Sequence, residues 1–169
     1  MDVLTHVFLP LTIIYALKKE FKAWYFPLAL STIIPDLDVL TGIHRGLLHS
    51  LLFLLPLICI AFTLEYAFRR RLELSTLFSI FILSHLALDA LAGGAPFLYP
   101  LVNLSVGVEF PFIIRFGQSI SIVDVMPKIV YGVPHEVCGE MNVFSGFGVA
   151  SAIAFTITWL KTWREKVRF

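Results

Sequence analysis

Five apolar runs divide the chain: Val3 to Leu17, Ala23 to Ile34, Leu47 to Phe68, Leu74 to Leu91 and Val143 to Leu160. The third is long enough to cross a bilayer as a helix, which takes roughly 20 residues. The first is short and crosses only if tilted or buried among other helices. Basic residues close three of the runs: Lys18, Lys19 and Lys22 after the first, Arg69 to Arg71 after the third, and Lys161, Arg164, Lys166 and Arg168 after the last. Trp24 and Tyr25 open the second run with side chains suited to a membrane interface. Pro35 stops it, because proline has no N–H for the helical ladder. Gly93 and Gly94, with Pro96 and Pro100, end the fourth. Residues 93–142 read differently, with five of the nine prolines and β-leaning pieces at Glu109 to Arg115 and Gln118 to Val123. They predict an irregular cap on the membrane surface, with room for a short hairpin or re-entrant segment. Such backbone has to be wet or packed on protein, because lipid satisfies no hydrogen bonds.

Composition strengthens the membrane reading. Hydrophobic residues make up 58% of the 169, charged residues 15%, and the mean hydropathy is +0.86. Soluble domains usually carry about 25% charge. The expected fold is an all-α integral membrane protein, a single domain over residues 1–169 with about five membrane-embedded helices and an extracytoplasmic cap. The two cysteines, Cys59 and Cys138, make no disulfide framework, and Cys59 reads as a small core residue inside an apolar helix. A cleavable signal peptide is not expected, since the start has no basic region and carries His6 within its apolar run. A net charge of +1 with no basic stripe gives no sign of a nucleic-acid partner.

Five crossings with the C-terminus inside place ten of the thirteen basic residues on one side, leaving Arg45, Arg115 and Lys128 on the other. The positive-inside rule makes the first side cytoplasmic. The same assignment brings all five histidines and eight of the twelve acidic residues to the opposite, extracytoplasmic end. That convergence, obtained from lysines and arginines alone, predicts one shared site.

The densest polar stretch is PDLDVLTGIHRGLLHS, residues 35–50, set between two apolar runs. Ionisable groups at the edge of a hydrophobic segment are costly to desolvate, and they mark function by default. Carboxylates and imidazoles together suit zinc, manganese or iron. His85 and Asp89, four apart on a predicted helix, share one face and can grip one ion. Asp36 and Asp38 read either as further donors or as a turn that caps the next segment. Arg45 beside Gly46 offers a forked donor to a phosphate, or pairs with Asp36 or Asp38. His49 fits the first turns of the third helix and His44 the loop before it. His6 reads equally as a ligand or a buried core histidine. His135, Glu136 and Glu140 are explained as well by a solvated acidic surface. No nucleophile elbow and no glycine-rich phosphate loop is present.

The PDLD at 35–38, the HRGLLHS at 44–50, the SHLALDALAGGAPFLYP at 84–100 and the early Thr5-His6 pair together resemble the YdjM-like membrane-bound metal-dependent hydrolases. The resemblance covers roughly residues 1–102. That family is distantly similar to the zinc-dependent phospholipase C and single-strand nuclease group, which are helical and hold zinc with His and Asp. The resemblance implies His6, Asp36, His49, His85 and Asp89 as metal ligands, for one to three divalent ions. It places Asp38, His44 and Arg45 behind the ligands or facing the substrate, as the catalytic candidates. The distant group's later HxxxE helix has no match here, since His135 and Glu140 are five apart.

Two functions follow as expectations. In one, an enzyme in the cell membrane uses one or two divalent ions to activate water against a phosphoester, such as a phospholipid or lipid-linked phosphate. Asp38 then serves as an orienting partner or general base, and Arg45 stabilises developing negative charge. In the other, a non-catalytic membrane protein binds the metal structurally or carries an ion.

Overall fold

The computed structural model describes residues 2–18, 22, 24–109, 113–115, 121–124, 126–132, 135–136 and 143–167. Five helices are present among them: α1 (Val3–Lys18), α2 (Tyr25–Ala29), α3 (Leu51–Arg69), α4 (Glu73–Leu91) and α5 (Gly146–Val167). Two of these, α3 and α4, are long and apolar enough to cross a membrane, while α1 is shorter. Phe53, Leu55, Ile60, Leu64 and Phe68 of α3 lie exposed, and so does Cys59. An apolar surface of that extent is unusual on a water-soluble monomer and natural against lipid. Cys59 is therefore on the outward face, not in the core as its apolar neighbours led us to expect.

The second apolar run departs from the expected single helix. After five residues of α2 the chain tightens into 3-10 turns at Leu30–Ile33 and Pro35–Thr41. Pro35 falls in the first turn of the second of these, where its missing N–H is harmless. Gly42, at φ 79°, ends it in the left-handed region. Another 3-10 turn, Leu47–His49, leads to Ser50, whose side chain accepts from the Leu52 amide at 3.1 Å and starts α3.

The core has two parts. Val7, Leu11 and Ile14 of α1 pack with Tyr25, Ala29, Leu77 and Phe81, and Phe155 of α5 lies against them. Leu54, Ile82 and Leu86 join α3 to α4. The N-terminus of α1 is held by Asp2, which accepts from the Thr5 amide at 3.2 Å and the Thr5 hydroxyl at 2.5 Å. Ser145, just before α5, donates to the same carboxylate at 2.6 Å. Burial pushes the Asp2 carboxyl up, but the hydrogen bonds from Ser145 and Thr5 outweigh it and hold it below the usual value.

Among the described residues, the cap is more regular than expected and holds paired strands. β2 (Ser105–Glu109) pairs antiparallel with β5 (Lys128–Gly132), and β3 (Ile113–Arg115) with β4 (Ser121–Asp124). Each pair is a separate two-stranded sheet, although the Ile113 to Asp124 pairing keeps the register of the β2–β5 ribbon. Of the β-leaning segment 118–123, residues 118–120 lie outside the described residues. The ribbon is anchored where Ala95 and Val106 exchange backbone hydrogen bonds, both at 3.0 Å. Gly107 makes this possible: a Cβ there would lie 2.6 Å from the Ala90 carbonyl oxygen at the end of α4. Beyond the ribbon, β6 (His135–Glu136) pairs with β1 (Ile43–His44).

Candidate metal centre

The start of α1, the end of α4 and the 3-10 stretch before α3 meet at one end of the bundle. They bring together His6, Asp36, Asp38, His49, His85 and Asp89, all of them buried. The α4 helix supplies His85 and Asp89 from one face, as their spacing predicts. At its end the Ala92 and Gly94 amides return to the Asp89 carbonyl, at 3.0 and 2.9 Å. Gly93 and Gly94 take φ of 116° and 117° to make that reversal. The chain then crosses to α3, where the Leu51 amide donates to the Phe97 carbonyl at 2.9 Å. In α1, Pro10 has no N–H to give the His6 carbonyl, so the proline loosens the helix at the turn that presents His6.

Donor atoms converge. His49 Nε2 and His85 Nε2 stand 3.1 Å apart. Asp89 Oδ2 lies 3.3 Å from the first and 3.4 Å from the second. Asp36 Oδ1 lies 3.5 Å from His85 Nε2 and 3.8 Å from His49 Nε2. His6 Nε2 is 3.5 Å from Asp89 Oδ1, and the His6 and His85 rings stack at 3.8 Å between centroids. These atoms form two overlapping sets that can each hold an ion, His6 with His85 and Asp89, and Asp36 with His49 and His85.

Asp38 explains the orientation of His49. Its carboxylate lies 3.0 Å from His49 Nδ1 and accepts from the Leu48 and His49 amides at 2.9 to 3.2 Å. An acceptor-only carboxylate at Nδ1 places the ring proton there and leaves the Nε2 lone pair aimed at the donor cluster. Burial pushes the His49 imidazole down, but Asp38, Asp89 and Asp36 outweigh it and hold it above its ordinary value. The surroundings thus favour positive charge at this spot.

Arg45 pairs with neither Asp36 nor Asp38, as one reading of the sequence had it. Its guanidinium reaches past them to Asp89 Oδ1 at 3.0 Å and the Gly94 carbonyl at 2.9 Å. The cause is local backbone: Arg45 sits at φ 60°, the left-handed region, which turns the side chain toward the end of α4. His44 occupies strand β1 directly opposite His135 of β6. Glu136 is opposite Ile43, and Glu140 lies outside the described residues.

A divalent cation fits this donor set. Among the described residues, three buried carboxylates, Asp36, Asp38 and Asp89, stand with a single guanidinium, an acidic balance when the imidazoles are neutral. Buried charge without compensation is strongly unfavourable, and a divalent ion would offset it. Neither nitrogen of His6 and not Nδ1 of His85 makes a hydrogen bond among the described residues, although all three atoms are buried. Of these, His6 Nε2 is accounted for if it meets a metal. The set contains nitrogen and oxygen only, which suits zinc, manganese or iron and leaves the choice among them open.

Sequence reasoning passed over two supports. Asp2, three residues before Thr5, matches a capping pattern at the start of an apolar run and was legible as one. The Gly94 carbonyl as an Arg45 partner has no sequence signal.

No curated protein and no solved structure matches the chain significantly. The family described as YdjM inner membrane protein matches residues 1–163, and the chain therefore belongs to that family.

Proposed function

We propose that this protein is a membrane-bound, metal-dependent hydrolase acting on a phosphoester such as a phospholipid or a lipid-linked phosphate. The observation that carries the proposal is the pair of donor sets sharing His85, closed over by an arginine. His6, Asp36, His49, His85 and Asp89 would hold one or two ions, most simply zinc. A bound divalent ion supplies a coordinated water of pKa near 7 and polarises a phosphoryl oxygen. Within the protein, Asp38 fixes the His49 ring through Nδ1. Arg45 steadies Asp89, and its Nε, buried and without a hydrogen bond among the described residues, would be the donor for a phosphate oxygen that enters the centre. The arginine is the most exposed part of the centre, at 19% of its side chain, so substrate would approach there. Five crossings, with the centre at the extracytoplasmic headgroup level, complete the proposal.

A second reading is favoured by burial. The five proposed ligands are all close to fully buried, as in a structural metal site with no open position. The purified protein, assayed on a phosphodiester in mixed micelles with and without chelator, separates the two. Chelator-sensitive hydrolysis that is lost in Asp89→Asn supports the enzyme. Retained metal with no turnover of phospholipid or nucleotide esters supports the binding protein.

A further inference from the structure

We infer that the end of the bundle opposite the histidine and aspartate centre binds an anionic phospholipid, headgroup in a basic cavity and acyl chain in the groove beside it. The cavity measures about 520 Å³ and is lined by Lys22, Trp24, Glu65, Arg69, Arg71 and Glu73, with Leu74. It lies at the start of α4, and Glu73 is separated from Asp89 by about 24 Å of helix at 1.5 Å per residue. It is therefore a different place from the metal centre.

Its charges favour an anion. Among the described residues, three cations face two carboxylates, and both carboxylates are already engaged. Glu65 is committed to the start of α4, accepting from the Leu74 amide at 3.1 Å and from the Ser75 amide and hydroxyl at 2.6 and 2.7 Å. Glu73 pairs with Lys22 at 2.9 Å. Arg69 reaches Glu65 only at 4.0 Å and is half exposed. The Lys22 ammonium lies over the Trp24 ring at 5.5 Å, an aromatic and cationic pair typical of the headgroup level.

The neighbouring groove makes the ligand a lipid instead of a free phosphate. It is apolar, about 310 Å³, and lined by Leu28, Ala61, Leu64, Phe68 and Phe78 together with Glu65, Arg69, Leu74 and Ser75. Glu65, Arg69 and Leu74 line both spaces, so the basic cavity and the groove adjoin. Leu64 and Phe68 are exposed along α3, and an acyl chain would cover them. A basic pocket between helices, continuous with an apolar groove, has the chemistry that recognises an anionic headgroup and its tail.

The test is native mass spectrometry and thermal melting of the purified full chain with phosphatidylglycerol, phosphatidylcholine or glycerol phosphate. Wild type should retain phosphatidylglycerol and melt higher with it, and respond little to phosphatidylcholine. An Arg69→Gln, Arg71→Gln double variant should weaken phosphatidylglycerol by roughly tenfold or more. Leu64→Trp, which fills the groove from an exposed position, should weaken the lipid with both arginines intact. His85→Ala should leave the effect in place, which separates this site from the metal centre. Equal retention of the two lipids by wild type would overturn the inference, as would unaltered phosphatidylglycerol binding in a folded double variant. Glycerol phosphate binding as tightly as the whole lipid would also overturn it, by making the ligand a soluble phosphate ester.

Discussion

Replacing Asp38 by asparagine tests the architecture of the centre without removing a proposed ligand. Asparagine keeps the shape of the side chain and an oxygen for the Leu48 and His49 amides, now 2.9 to 3.2 Å from Asp38. It loses the charge that faces His49 Nδ1 at 3.0 Å, and with it the bias that keeps the lone pair on Nε2. Loss of such an outer partner costs about 10- to 100-fold in metal affinity, or about 1.4 to 2.7 kcal/mol. Asp38→Asn should therefore still bind zinc, but 10- to 100-fold more weakly by about that range in a competition titration against a chromogenic chelator. Asp89→Asn, which removes an oxygen shared by both histidine nitrogens, should lose far more. An Asp38→Asn affinity within about twofold of wild type, too small for the loss of an orienting partner, would refute the role given to Asp38.

Other outcomes follow from single contacts. Arg45→Ala should keep its metal and lose about 100-fold in phosphoester turnover, the scale of a lost transition-state donor; parallel loss of metal would show that Arg45 serves only to hold Asp89. Asp2→Ala should destabilise the fold by about 0.5–2 kcal/mol in thermal melts, the usual range for a lost helix cap. Because the Asp2 carboxyl is held below its usual value, its contribution is present above the unfolded pKa of about 3.9 and disappears as the pH falls through the lower folded value. Gly107→Ala should lower the melting temperature and loosen the cap, because the new methyl would crowd the Ala90 carbonyl. With native cysteines removed, Met126→Cys and Arg70→Cys should be labelled from opposite sides of the membrane; labelling of both from one side would reject the proposed topology.

Much of the site was legible in the sequence because its chemistry is local. His85 and Asp89 share a helix face through their spacing alone. The gathering of His6, Asp36 and His49 at the same end follows from where apolar runs begin and end. What was not legible depends on backbone turns. The second apolar run looks helical by composition, yet it tightens into a 3-10 turn at Leu30–Ile33, and a further one at Pro35–Thr41 carries Asp36 and Asp38 to the cluster. The partner of Arg45 depends on a left-handed residue that propensity does not specify. The β2–β5 ribbon of the cap pairs residues across long separations, such as Ser105 with Gly132, and the β-leaning pieces at Glu109 to Arg115 and Gln118 to Val123 gave no sign of that pairing. Cys59 shows the opposite limit: in an apolar helix, hydrophobicity does not distinguish a face toward protein from one toward lipid.

The central claim is that the buried histidine and aspartate cluster holds a divalent metal ion. His85 belongs to both donor sets, so one substitution disables both. The direct measurement is metal content per chain, by inductively coupled plasma mass spectrometry, on wild type and His85→Ala purified side by side and matched for helix content. Wild type should carry a divalent transition metal and folded His85→Ala should carry almost none. Equal metal in the two proteins, or none in wild type after incubation with zinc, manganese and iron, would contradict the claim.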